Sequence, residues 1–147
     1  MNGDLSGALA NCYLPIAILP IARYSMPIHY TIDAVRRTVE ITCSGQVTAQ
    51  EIVEHRRKLR ADPQFNADFA ALIDASHVDG FGVSWELLNG LKYDDPFSGK
   101  SRRAVLAPGN FAFGLGRMYQ GLRHDSNFAV FRTVDAARRW IHFGIKP

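Results

Sequence analysis

The sequence predicts one α/β domain with a mixed, mostly parallel sheet, and two observations support this prediction. Short apolar runs typical of strands alternate with segments of helical period, in the order β-β-α-β-α-β-α-β-α. Strands that alternate with helices require crossover connections, and crossovers place consecutive strands parallel to one another. The first two strands are separated by the short segment Ala34–Arg37 instead of a helix, which predicts an antiparallel hairpin at the N-terminal side of the sheet.

Composition narrows the class of protein. The 147 residues provide room for one domain with a hydrophobic core, and 47% hydrophobic against 21% charged residues argues against disorder. The net charge of +3 is a mild excess, and the densest basic segment, His55–Arg60, is diluted by Glu51 and Glu54. We therefore expect no nucleic-acid partner. The two cysteines, Cys12 and Cys43, lack the spacing of a metal site or a disulfide framework, which predicts a reducing, cytoplasmic compartment.

The N-terminal residues 1–25 differ from the rest of the chain. The apolar stretch Leu5–Ala22 is interrupted by an asparagine and two prolines, and the chain begins MNGDL, whose charged side chain is acidic. Neither a membrane-spanning helix nor a secretory signal fits this pattern. Met26 stands immediately before the first strand, so we expect the functional domain to span 26–147 and the leader to be an appendage or an upstream mis-start. Alternatively, the leader covers an apolar surface or mediates association.

The first half of the domain begins with the predicted hairpin. The alternating segment Ile28–Asp33 and its partner Thr38–Cys43 have the pattern of strands. Thr48 and Glu51 have the spacing of a capping box, which predicts a helix that starts there. This helix is expected to end near Ala61, because a proline follows two residues later.

The second half contains further strands and helices in alternation. Strands are expected at 69–75, 103–107 and 128–132, and helices at about 84–91, after the Pro-Gly turn at 108–109, and from the N-cap Thr133 to shortly before Gly144. Within the middle helix, apolar side chains recur at helical spacing: Phe111, Leu115, Met118, Tyr119 and Leu122. This stripe is expected to face the core.

Several segments resemble the bacterial SpoIIAA-like (STAS/SEC14-type) domain proteins of the STAS-like superfamily. They are the hairpin HYTIDAVRRTVEITCSGQVTAQE, the strand end LIDAS, the segment RRAVLAPGNFAFGLGRMY and the closing VFRTVDAARRWI. The resemblance extends from Met26 to about Phe143. It implies a single α/β domain of SpoIIAA/STAS-like fold, with helices flanking the sheet.

The resemblance also implies where a regulatory switch would lie. STAS anti-sigma antagonists carry a phosphorylatable serine in an Asp-Ser-Ser-Gly motif at the start of a helix. Gly82, Val83, Ser84 and Trp85 stand at the four positions of that motif. Ser84 alone matches, and Trp85 would obstruct the flat surface on which a kinase-like partner docks. The usual phosphoserine switch motif is therefore largely absent.

Polar groups are concentrated at the C-terminal end of the strand predicted at 69–75, an edge at which ligands of open α/β sheets tend to bind. We expect a loop that binds a partner or an anion, formed by Asp74, Ser76, His77, Gly80, Gly82 and Ser84. A catalytic triad within one short stretch is disfavoured, because consecutive side chains point in different directions. Local turn hydrogen bonds of Asp74 and Ser76, with His77 facing solvent, are the simpler expectation. No metal or cofactor is expected, since the histidines lack a ligand motif and neither glycine pair completes a nucleotide fingerprint.

Four further residues are candidates for a pocket or an interface: Trp85, Tyr93, Phe113 and Arg117. A basic rim for an acidic group is a related hypothesis, and its members would be Arg102, Arg103 and Arg117. Exposure of these arginines, or pairing with Asp94 and Asp95, explains them better.

These observations predict a non-enzymatic STAS-like regulatory module that binds a protein partner or itself. The second hypothesis is a carrier or sensor of a small amphipathic or anionic, lipid-like ligand, which would use the apolar helix stripe and the segment 76–84. The third is a small hydrolase built on Ser76 or Ser84. An enclosed apolar cavity beside Phe113 and Trp85 would favour the carrier. A hydrogen bond between His77 and a serine hydroxyl would be required for the hydrolase.

Overall fold

The computed structural model describes residues 27–145, so the predictions about the leader lie outside the described residues. Within this range the strands are β1 (Ile28–Asp33), β2 (Thr38–Thr48), β3 (Ala70–Gly82), β4 (Arg103–Leu106) and β5 (Phe128–Phe131). The helices are α1 (Ala49–Ala61), α2 (Trp85–Leu91), α3 (Asn110–Arg123) and α4 (Val134–Phe143). The order and type of these elements agree with the sequence prediction.

The strands form one sheet in which spatial order follows chain order, β1-β2-β3-β4-β5. β1 pairs with β2 in antiparallel orientation, and every other pair of neighbours is parallel. The predicted mixed sheet with an N-terminal hairpin is therefore confirmed.

Helices cover the two faces of the sheet unequally. α4 packs on β3, β4 and β5, where Leu106, Phe131 and Trp140 are buried together. On the opposite face, α1 packs against the hairpin of β1 and β2, while α3 packs against β3 and β5. The short α2 contacts α3. Three separate helices therefore share one face.

β2 and β3 continue well beyond their predicted ends, which corrects the expectation of a loop over 76–84. Residues 46–48 pair in parallel with residues 80–82. A Cβ atom added to Gly80 would lie 2.7 Å from Oε1 of Gln46, so the absence of a side chain at this position leaves space for the Gln46 side chain. Glycines in a sequence usually indicate a loop, whereas here they allow a side chain to approach a strand closely.

The face that α3 turns to the sheet agrees with the predicted stripe in part: Leu115 and Tyr119 face the sheet, but two other members of the stripe do not. Phe111 is 57% exposed and Met118 is 40% exposed, whereas Ala112 is buried. A Cβ atom added to Gly116 would lie 3.1 Å from Cγ1 of Val130, so the backbone of α3 lies directly on β5 at this point. A helix that approaches a sheet so closely needs small side chains on its inner face, and bulky ones move to its flanks.

The helix ends follow the predicted caps. The hydroxyl of Thr48 accepts a hydrogen bond from the backbone N–H of Glu51 at 3.3 Å, and the carboxylate of Glu51 accepts from the N–H of Thr48 at 2.8 Å. Thr133 caps α4, and Gly144 ends it with a φ of 69°, a conformation that favours glycine. Among residues 27–145, no helix has the length and apolar character needed to cross a membrane.

Candidate functional site

An apolar cavity of about 180 Å³ lies between the sheet and the helices α1, α2 and α3. The strands contribute its floor, which includes Ile41, Cys43, Ile73, Val105 and Phe128, and the helices contribute walls that include Ile52, His55, Leu88, Leu91, Ala112, Leu115 and Tyr119. Ile73 and Val105 belong to the inner strands β3 and β4, yet both are half-buried. Their partial exposure marks the place where the helices do not close over the sheet.

Small side chains and a short helix leave this space unfilled. α2 has seven residues, of which Leu88 and Leu91 are buried. Ala75, Ala112 and Gly116 line the cavity with little or no side chain. An unfilled apolar volume of 180 Å³ costs about 4 kcal/mol at ~24 cal/mol per Å³. Protein cores rarely contain voids larger than a water molecule, so a cavity of this size is a candidate binding site.

One end of the cavity carries a charged cluster, which consists of Asp95, Arg103, Arg123 and Asp125. Arg103, the first residue of β4, is 2% exposed and forms ion pairs with both carboxylates. Arg123, at the end of α3, lies 2.7 Å from Asp95 and 3.0 Å from Asp125. Nε of Arg103 donates to the carbonyl of Ser101 at 3.1 Å. The cluster lies at the amino-terminal edge of β4 and β5, opposite to the edge at which the sequence predicted a ligand.

Burial and pairing act in opposite directions on the ionisation of this cluster. Burial favours the neutral form of Asp125, but the N–H of Asn127 and the guanidinium groups of Arg123 and Arg103 outweigh it and lower the pKa. Burial likewise disfavours the charged form of Arg123, yet Asp95, Asp125 and the Tyr119 hydroxyl raise its pKa overall. Arg123 and Asp125 are therefore both charged at neutral pH.

Arg123 also forms part of the cavity wall. Its Cζ lies 5.6 Å from the ring centre of Tyr119 and 5.1 Å from that of Phe128. Its Nη1 donates to the Tyr119 hydroxyl at 3.3 Å, and Nη2 of Arg56 donates to the same oxygen at 3.4 Å. The buried Nε of Arg123 has no hydrogen-bond acceptor among residues 27–145. This N–H is therefore a buried donor without a partner in the described part of the chain.

Two ionisable side chains in the lining are neutral. Burial lowers the pKa of His55 to about 4, and the nearby cations Arg56 and Lys58 add to this effect. The His55 ring packs edge-to-face against Tyr30, with 5.6 Å between the ring centres. Burial raises the pKa of Cys43 to about 12. At neutral pH both side chains contribute surface without charge.

The polar residues predicted at the end of the third strand lie on β3 itself. A carboxylate oxygen of Asp74 accepts from the backbone N–H of Ser76 at 2.9 Å, and His77 is exposed. These local contacts are the simpler of the two arrangements expected from the sequence. In the described part of the chain, His77 forms no hydrogen bond with Ser76 or Ser84, so the arrangement required of a hydrolase is not present.

The remaining members of that predicted loop either pair with a neighbouring strand or cap a helix. Gly80 and Gly82 pair with β2. Ser84 is the N-cap of α2, and its hydroxyl accepts from the N–H of Leu87 at 3.3 Å. Binding of a partner or an anion by these residues stays a prediction. Within residues 27–145, no three His, Cys, Asp or Glu side chains are arranged to hold a metal ion.

The four candidate pocket residues stand outside the lining of the cavity. Trp85 and Tyr93 are exposed, and Lys92 approaches the Tyr93 ring at 4.9 Å from its centre. Phe113 is half-buried beneath Arg132, whose Cζ lies 3.9 Å from the ring centre. Arg117 is exposed beside a shallow groove on α3. A role for these residues in an interface stays a prediction.

The predicted basic rim is not formed, because its arginines lie in different environments. Arg103 is buried and paired with Asp95, which agrees with the alternative expectation for this residue. Arg102 donates to the carbonyl of Ile141 at 3.4 Å, and Asp94 pairs with Arg60.

The sequence did contain a signal for the charged cluster. An arginine that opens the buried strand RAVL needs carboxylate partners, and aspartates precede both β4 and β5.

Comparison with known proteins supports the fold. No protein-family model and no curated protein matches the chain. Among solved structures, the chain is similar to an uncharacterized protein from the DUF3478 family of Shewanella loihica PV-4, which has a SpoIIAA-like fold. The TM-score is 0.54 at 20% sequence identity, and the match covers 78% of this chain and 93% of the other. The chain therefore has a SpoIIAA-like α/β fold.

Proposed function

We propose that this protein is a binding module, a carrier or sensor, for a small and largely apolar molecule held between the sheet and helices α1, α2 and α3. The observation that supports this proposal is the cavity of about 180 Å³. An engineered apolar cavity of roughly 150 Å³ stays dry and binds benzene. The expected ligand is therefore about the size of a substituted benzene ring, well below that of a typical phospholipid.

The energetics of the cavity support the same proposal. Its lining is mostly aliphatic and aromatic, and its neutral His55 and Cys43 add no charge. A ligand that fills the cavity recovers part of the roughly 4 kcal/mol lost to the unfilled volume. Because the unfolded chain has no such site, ligand binding would stabilise the folded protein by mass action.

Toluene is a suitable probe, because it is apolar and only one methyl group larger than benzene. We expect saturable chemical-shift changes at methyl groups that line the cavity, such as those of Ile41, Ile73 and Val105. Methyl groups of Leu106 on β4 and Ile141 on α4, which are buried together on the other face of the sheet, serve as the internal control. The midpoint of thermal unfolding should rise with toluene concentration.

Two outcomes would contradict the proposal. One is the absence of saturable shifts at the cavity methyl groups up to the solubility limit of toluene. The other is a set of equal, non-saturable shifts on both faces of the sheet, which would indicate nonspecific partitioning.

A second candidate function is self-association through an apolar surface, in line with the regulatory module expected from the sequence. Trp85, Leu87 and Phe111 are each more than half exposed, on the neighbouring helices α2 and α3. The Phe111 ring stacks on Phe81 with 6.3 Å between centres, so this exposed ring is held in place. The partner that we propose for this surface is a second copy of the chain. Sedimentation velocity of the wild type and of the double variant Trp85→Ser, Leu87→Ser tests it, and a concentration-independent monomer in both would contradict it.

A further inference from the structure

We propose that the free edge of β1 is a dimer interface, at which β1 of a second copy of this chain pairs with it in antiparallel orientation. The two-fold axis passes through Thr31 and stands perpendicular to the sheet, so the sheets of the two copies become continuous. This interface is separate from the cavity and from the apolar surface formed by Trp85, Leu87 and Phe111.

The first argument is that one edge of β1 carries unpaired backbone groups. Among residues 27–145, the one strand that pairs with β1 is β2. The backbone N–H of Ser44 donates to the carbonyl of Pro27 at 2.8 Å, so these two residues form a hydrogen-bonded pair of the antiparallel ladder. Because such pairs alternate along the strands, the backbone groups that point away from β2 belong to Ile28, Tyr30 and Ile32. No strand in the described part of the chain receives these groups.

The second argument is that β1 lacks the features that protect edge strands from pairing with another chain. Protected edge strands are very short or interrupted by a bulge, or they contain lysine or proline. β1 has six residues with neither lysine nor proline among them, and its register with β2 is continuous. The opposite edge strand, β5, has four residues. β1 is therefore the edge that is more open to a further strand.

The third argument is that the sequence of β1 is complementary to itself. An axis at Thr31 places His29 opposite Asp33 of the second copy and Tyr30 opposite Ile32. Imidazole beside carboxylate, an aromatic ring beside a β-branched side chain, and threonine beside threonine are each favourable cross-strand pairs. The backbone groups of Tyr30 and Ile32 are the ones that point away from β2, so these two residues form the ladder hydrogen bonds between the copies.

The pair of His29 and Asp33 favours this register over its neighbours. Both side chains are exposed, as is that of Thr31 between them. Oδ1 of Asp33 accepts from the backbone N–H of Arg36 at 2.9 Å, which orients the carboxylate. Oδ2 lies 3.8 Å from Nε of the exposed Arg36, beyond hydrogen-bond distance, and so stays open to His29 of the second copy. An axis at Tyr30 would instead place Asp33 opposite Pro27, and this pair would be lost.

Two variants with the same added charge test the interface. Thr31→Lys places two ammonium groups opposite each other at the axis, and like charges directly opposite are destabilising. His29→Lys places its ammonium group opposite Asp33 instead. Sedimentation velocity at a series of concentrations should show a monomer–dimer equilibrium for the wild-type protein. Thr31→Lys should raise the dimer dissociation constant at least tenfold, whereas His29→Lys should leave it within about threefold of the wild-type value.

Cross-linking locates the axis independently of the lysine variants. It uses a Cys12→Ser background, in which the other native cysteine, Cys43, is buried. Thr31→Cys places two thiols in a non-hydrogen-bonded pair, whose Cα atoms lie about 4.5 Å apart, close enough for a disulfide. In His29→Cys the two thiols are offset by the distance from residue 29 to residue 33, roughly 14 Å, which a disulfide cannot span. Mild oxidation should therefore link the copies of Thr31→Cys and leave those of His29→Cys unlinked.

The outcomes separate this interface from the other proposals. A wild-type protein that stays monomeric at every concentration overturns the inference and leaves the edge to a different partner. Equal weakening by the two lysine variants, or equal cross-linking of the two cysteine variants, also overturns it. A dimer that resists Thr31→Lys but is lost in the double variant Trp85→Ser, Leu87→Ser assigns self-association to the apolar surface of α2 and α3. None of these results changes the toluene test of the cavity.

Discussion

Replacement of Val105 by phenylalanine should stabilise this protein, although it enlarges a side chain inside the core. Val105 lies on β4 beneath the helices, and its half-buried side chain forms part of the cavity floor. The larger ring would fill about a third of the 180 Å³, or roughly 60 Å³, which corresponds to about 1 kcal/mol at ~24 cal/mol per Å³. The same variant should bind toluene at least tenfold more weakly, because the ring occupies the site of the probe.

The matched control is Val130→Phe on the neighbouring strand β5. Val130 faces the same group of helices, but it is buried, and Gly116 of α3 lies directly over it. Without free volume, the added atoms overpack the core, which typically costs about 1–3 kcal/mol. Urea unfolding followed by circular dichroism gives the free energy of unfolding of both variants. Equal destabilisation of the two would refute the reasoning, since it would mean that Val105 is as tightly packed as Val130.

Three other predictions concern stability. The pKa of His55 falls from 6.5 to about 4 on folding, so the folded state resists a proton that the unfolded state takes up. His55 therefore leaves the free energy of unfolding unchanged above about pH 6.5 and lowers it by up to about 3 kcal/mol as the pH falls to about 4. The variant His55→Leu should lack this part of the pH dependence of stability. If urea unfolding shows the same pH dependence between these values in the variant and the wild type, the prediction is contradicted. Gly114→Ala should stabilise α3 by about 0.5–1 kcal/mol, because the added Cβ atom meets open space. Gly116→Ala should lack this gain, because its Cβ atom would lie 3.1 Å from Val130. Thermal unfolding distinguishes the two variants, and equal gains in stability would argue against close packing of α3 on β5. Thr48→Ala removes the side-chain half of the capping box of α1 and should cost about 1 kcal/mol in urea unfolding, while a neutral result would show that the box is not needed at this helix end.

Most of the fold was predictable from local patterns in the sequence. The capping box at Thr48 and Glu51 marked the start of α1, and Thr133 and Gly144 marked the two ends of α4. These signals are readable because the side chain and the backbone groups that it serves are only a few residues apart in the chain. The apolar runs identified β4 and β5 for the same reason, and their alternation with helices gave the parallel sheet.

The ends of β2 and β3 were not predictable by such reasoning. The glycines at 80 and 82 have the local signature of a loop, but pairing with residues 46–48 extends both strands. Likewise, periodicity alone assigned Phe111 and Met118 to the inner face of α3. Where Gly116 approaches Val130, these two side chains are exposed and Ala112 is buried instead, although Leu115 and Tyr119 of the same stripe face the sheet. Each of these features depends on a contact between segments that are distant in sequence.

The sequence by itself determined the α/β class and the order of the elements, because both depend on local periodicity and capping. Its motifs also resemble those of SpoIIAA-like proteins. The tertiary structure decided where a ligand would be held. The cavity is the volume that three separate helices fail to fill over one face of the sheet. The charged cluster unites Asp95, Arg103, Arg123 and Asp125, which come from two connecting segments, a strand and a helix. An unfilled volume and an unsatisfied donor exist only after packing, so no local pattern in the chain records either of them.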